Sequence, residues 1–164
     1  MEPFRWGSPL GIAVALFLVW GAIYVIIGVL TPLLMNRGIV SPQILIFSAS
    51  ADTVLLGATP DELWRTNPPL VTVRTILVQI FAGLLLTTGM LVLAVTWYGL
   101  RTGRPWALGA LALTGLVVLP YWWLAYLPYA RAGAQVGLGD VPPFMWIPAA
   151  LLIPAVILGW LGLR

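Results

Sequence analysis

From Gly11 to Leu30 the chain reads GIAVALFLVWGAIYVIIGVL, twenty residues without a charged side chain. Crossing the hydrocarbon core of a bilayer takes about 20 predominantly apolar residues. The run continues toward Met35, longer than the 7–15 apolar residues of a secretory signal, so it predicts an uncleaved first span over about 11–35. Three further runs follow: TILVQIFAGLLLTTGMLVLAVTWY over 75–98, WALGALALTGLVVLPYWWLAY over 106–126, and FMWIPAALLIPAVILGWLGL over 144–163. None carries Asp, Glu or Arg inside it. Strands of a membrane barrel would alternate polar and apolar over about ten residues. No such alternation occurs, so the fold class expected is an all-α integral membrane protein of four transmembrane helices.

Composition supports the same reading. The 164 residues are 61% hydrophobic and 8% charged, where a soluble domain carries about 25% charged residues. A water-soluble fold of this size could not hide that much apolar surface. An ordinary soluble enzyme and a nucleic-acid-binding domain are excluded.

The chain contains neither cysteine nor histidine, and its eight cations are all arginine. Thiol chemistry, a histidine general base and a lysine Schiff base are therefore unavailable. No cofactor or metal is expected. Coupled ion transport is disfavoured as well, since it generally uses an ionisable group within the membrane. A non-catalytic protein is the expectation.

The turn Arg101-Thr-Gly-Arg104-Pro105 joins spans two and three with two arginines and no acid. Short basic loops face the cytoplasm, which predicts an up-down-up-down bundle with both termini cytoplasmic. The stretch YGLRTGRPWALGAL looks generically like the inside turn of many small bacterial membrane proteins and names no family; the location expected for the four spans is the cell (plasma or inner) membrane.

The long connection, 36–73, then forms an extracytoplasmic cap. Thr59-Pro60-Asp61-Glu62 predicts a helix start with threonine as cap and glutamate at its third position. Asn67-Pro68-Pro69 ends that helix. The apolar stretch 40–56 is expected to pack on the bundle ends. Asp52, Asp61, Glu62 and Asp140 fall in this region and its neighbouring loop, where helix starts and turns account for them better than catalysis.

Spans two and three each carry a stripe of small or polar residues, including Gln79, Gly83 and Thr87 on one and Ala107, Ala110 and Thr114 on the other. Such stripes allow close helix packing. A sharper expectation is a ligand cleft between spans three and four. Pro120, Pro148 and Pro154 free backbone carbonyls there. The aromatics Tyr121, Trp122, Tyr126 and Trp146 gather at one end. The cleft so defined contains Gln79, Thr87, Thr114, Pro120, Tyr121, Trp122, Tyr126 and Trp146, and would take a lipid, isoprenoid or pigment. Because reactive groups are so few, the leading functional expectation is an accessory or assembly subunit of a larger membrane complex, with a membrane-protein partner or a homo-oligomer. The ligand binder is the alternative.

Overall fold

The architecture is that of a computed structural model describing residues 4–36, 47–137, 139–141 and 143–164. Helices α1 (Pro9–Asn36), α4 (Pro68–Ala94), α5 (Pro105–Arg131) and α6 (Pro143–Leu163) are the long ones. Two short helices, α2 (Ala49–Leu56) and α3 (Pro60–Thr66), lie between α1 and α4. A π-helical turn, Val95–Gly99, and a tighter turn, Leu100–Thr102, prolong α4. No strand occurs among the described residues. Four helices are long and apolar enough to cross a membrane: Pro9–Leu34, Pro68–Thr102, Pro105–Arg131 and Met145–Leu163.

The second of these is 35 residues long. At 1.5 Å per residue it reaches about 52 Å, well beyond a core of about 30 Å. It starts seven residues earlier than its apolar run because Pro68 and Pro69 sit in its first turn. There a missing N–H costs nothing, so the prolines that close α3 also open α4. Helix α5 likewise runs on to Arg131, past Pro120 and Pro128.

Helix α1 is the middle of the bundle, flanked by α4 and α6. Gly21 meets Gly89 and Leu93, and Gly28 meets Ala82 and Leu86, so the contacts descend α4 as they ascend α1. The same reversed order joins Leu10 to Gly162 and Ala13 to Gly159 on α6, and Leu108 and Gly115 of α5 to Gly159 and Leu152 of α6. The approach of α1 to α4 is backbone on backbone. A methyl group at Gly89 would sit 2.7 Å from the Gly21 carbonyl oxygen and 2.8 Å from the Val25 nitrogen.

The helices therefore follow the spatial order α4, α1, α6, α5. Close sequential packing of spans two and three along their small-residue stripes is not what forms. Helix α5 meets the α4 rod at the connecting turn, where Gly99 abuts Ala107 and Trp106. The reason is bulk on α1. Phe17, Trp20 and Tyr24 follow one another with ring centroids 5.9 Å apart at each step, the first pair tilted and the second edge-on. They share one buried cluster with Leu85 and Val92 of α4, Leu111 of α5 and Leu152 of α6. Rings of that size fill the core that α4 and α5 share with α1.

Gly103, with φ of 73°, supplies the left-handed residue that closes the α4–α5 turn. Helix α3 begins as its sequence predicts. The Thr59 hydroxyl accepts from the Glu62 N–H, while the Glu62 carboxylate accepts from the Thr59 N–H at 2.9 Å. Helix α2 and Phe47 pack on the far end of α5 in a second small core with Ala51, Tyr129, Ala134 and Met145. Residues 37–46 of the expected cap lie outside the described residues.

Candidate functional site: an aromatic groove and the polar junction beside it

The groove forms where α5 and α6 part beyond the Gly115–Leu152 contact. Leu119, Trp122, Trp123 and Tyr126 of α5 face Met145, Trp146 and Ala149 of α6, and Phe47, Val136 and Val141 close one end. Its volume is about 340 Å³, and among the described residues no charged side chain lines it. That volume falls at the lower end of the range for small-molecule sites, about 300–1,000 Å³. Its walls offer ring faces and methyl groups, and the Trp and Tyr polar tips supply side-chain hydrogen-bonding groups.

Of the residues expected in the cleft, Trp122, Tyr126 and Trp146 converge here. The other five do not line the groove. Pro120 and Tyr121 sit on α5 with exposed side chains. Gln79 and Thr87 lie on α4, exposed, two helices away in the spatial order. Thr114 is exposed on α5, and its hydroxyl donates to the Ala110 carbonyl at 2.8 Å. The Thr87 hydroxyl bonds the Gly83 carbonyl in the same way at 3.0 Å. A threonine so satisfied within its own helix has less need of a partner across a contact.

Beside the groove lies a polar junction. The Tyr129 hydroxyl donates to Asp52 Oδ1 at 2.7 Å, and both side chains are buried. The Tyr129 ring also stands edge-on to Phe47, with centroids 4.9 Å apart at 87°. Arg74, on the first turns of α4, interacts electrostatically with Asp52. Asp52 occupies the first turn of α2, where an acid complements the helix dipole. Ser48 caps that helix by accepting from the Ala51 N–H. The junction thus ties α2 to α5 and to the start of α4, and it fixes Phe47 as the end wall of the groove.

Glu62 and Asp140 have local structural roles. Hydrogen bonds from the Thr59 backbone N–H, then from its hydroxyl, hold the Glu62 carboxyl below its ordinary range. Asp140 accepts from the Gly137 N–H at 2.8 Å and closes a turn. Among the described residues no three Asp or Glu side chains converge as metal ligands.

Sequence reasoning missed the Asp52–Tyr129 pair and Phe47. The available signal was Asp52 itself, the lone acid in the apolar run ILIFSASADTVLLG. It also missed two buried polar atoms in the bundle core, Trp20 Nε1 and Thr96 Oγ1, that make no hydrogen bond. The Tyr24 ring stands edge-on to the Trp20 indole, with centroids 5.9 Å apart at 79°.

No protein-family model, curated protein or solved structure matches this chain.

Proposed function

We propose that the chain is a non-catalytic membrane protein that holds the hydrocarbon chain of a lipid or isoprenoid in the groove between spans three and four. One observation carries the reading: the convergence of Trp122, Tyr126 and Trp146 on an uncharged groove of about 340 Å³. Flat aromatic faces and methyl groups complement an unbranched or isoprenoid chain, and a groove this small takes part of one chain. In the bilayer the four spans run up-down-up-down with the Arg101–Arg104 turn and both termini in the cytoplasm. The α2–α3 segment is then the extracytoplasmic cap. The location that fits this arrangement is the bacterial inner membrane.

Native mass spectrometry after mild solubilisation tests the binder. The protein should carry a small amphiphile, and Ala149→Trp, which fills the groove, should strip it. Gln79→Leu and Thr114→Val should leave it bound. A protein that carries nothing, or that keeps its guest after Ala149→Trp, defeats the reading.

The accessory-subunit reading has its own supporting observation. Gln79, Gly83 and Thr87 recur every fourth residue on one exposed face of α4, and a methyl added at Gly83 would meet nothing. An amide and a glycine facing lipid suit a partner helix, which small residues admit closely and glutamine bonds. The chain has no cysteine, so a single Gly83→Cys substitution reports the neighbour. Disulfide or bifunctional cross-linking in native membranes should yield one discrete adduct. Only monomer under those conditions counts against a subunit role.

A further inference from the structure

A second groove lies on the α5–α6 seam at the opposite end, by the α4–α5 turn. Leu108, Gly109 and Ala112 of α5 face Val156, Trp160 and Arg164 of α6 across about 500 Å³. The two grooves differ in charge. Among the described residues no charged side chain lines the first, whereas Arg164 lines this one. Its guanidinium lies over the Trp160 ring, 5.1 Å from the centroid, which holds the charge beside the apolar channel. Arg104 is exposed and immediately precedes Pro105, itself a lining residue.

The surroundings repeat this sign. Leu10 packs on Gly162 and Gly99 on Ala107, so the start of α1, the α4–α5 turn and the end of α6 come together. Arg5, Arg101, Arg104 and Arg164 all belong to that end. Among the described residues every Asp and Glu belongs to α2, α3 or the α5–α6 connection, at the other end.

We propose that this groove is a binding site for an anionic phospholipid, with an acyl chain along Leu108, Gly109 and Val156 and the phosphate on Arg164 and Arg104. Charge complementarity selects the occupant. Guanidinium groups bond phosphate oxygens in matched pairs, and basic pockets between membrane helices take anionic headgroups. The long apolar wall beneath the arginines selects a lipid over free phosphate.

Fluorescence quenching by brominated lipids tests the site on the full chain in micelles. Brominated phosphatidylglycerol should quench the Trp160 component, defined by its loss in Trp160→Phe, at a lower mole fraction than brominated phosphatidylcholine. An arginine near a headgroup contributes about 1 kcal/mol, or roughly fivefold in affinity. Arg164→Gln and Arg104→Gln should each reduce the preference by about that factor, and raised salt should reduce it too. Gly109 has open space where a side chain would go, so Gly109→Leu fills the groove without altering charge and should abolish quenching by both lipids. Equal quenching by the two lipids, or a preference unchanged in the arginine variants, overturns the proposal. So does displacement of the lipid by inorganic phosphate alone, which reads as a simple anion site. Circular dichroism of each variant verifies that the helices persist.

Discussion

The Tyr129 hydroxyl and Asp52 Oδ1 are 2.7 Å apart, although 77 positions separate the two residues in the chain. This one bond fastens α2 to the end of α5 inside a small core that Phe47 and Met145 complete. Tyr129→Phe keeps the ring on Phe47 and deletes only the donor. Leaving a buried acceptor short of a bond costs about 1–3 kcal/mol. Denaturant unfolding in micelles should show that loss. Retained stability would mean the junction holds nothing in place.

The two exposures of glycine on α4 give opposite expectations. Gly89→Ala puts a methyl against the α1 backbone, within 2.7–2.8 Å of Gly21 and Val25 atoms. Backbone cannot rotate aside as a side chain can, so overpacking should cost about 1–3 kcal/mol. Gly83→Ala meets open space and gains helix propensity, an increase of up to about 1 kcal/mol. Paired thermal melts check both signs together. A Gly89→Ala protein as stable as wild type would contradict the close α1–α4 approach.

Glu62 sets a pH dependence at the start of α3. Its folded pKa lies below the ordinary 4.5 because the Thr59 N–H and hydroxyl favour the carboxylate. A depressed carboxyl contributes stability that is fully present above 4.5 and is lost as pH falls through the lower folded value. Amide exchange at Glu62 and Leu63 should therefore accelerate in that acid window relative to residues of α1. In Glu62→Gln, whose amide can still accept from Thr59, that acceleration should vanish.

Thr96 is fully buried in the π-helical turn with an unpartnered hydroxyl. Thr96→Val replaces that hydroxyl with a methyl of the same shape. Removing an unsatisfied buried group should raise stability by about 1 kcal/mol. A loss of stability would indicate that the hydroxyl is bonded in the membrane.

The four spans could be read because uncharged length alone defines them, and the α3 cap because Thr59 and Glu62 carry a complete local code. The order of the helices could not. These helices are apolar all round, so polarity does not distinguish a lipid-facing side from a packed one. Gly83 and Gly89 are the same residue six positions apart, yet one faces out and the other is pressed to α1. The aromatic part of the groove was legible because Trp122 and Tyr126 share a helix face and Trp146 starts the facing helix. Gln79 and Thr114 joined it only through an assumed contact of spans two and three. The two spans meet instead near the connecting turn, at Gly99 and Ala107, while Phe17, Trp20 and Tyr24 of α1 fill the core they share.

The central place of α1 has a consequence for biosynthesis. During translation α1 emerges before the other three spans, and α4 follows soon enough to cover one side of it. The other side is completed by α6, the last of the four to be made, since Leu10 packs on Gly162 nearly a chain length away. Contacts between residues so distant in sequence form late and slow the search for the native state. Until α6 arrives, Ala13 and the rest of that seam face lipid or an insertion factor. Until α6 is made, α1 is covered by α4 on one side only, and that interval is when it is most open to capture by a foreign helix.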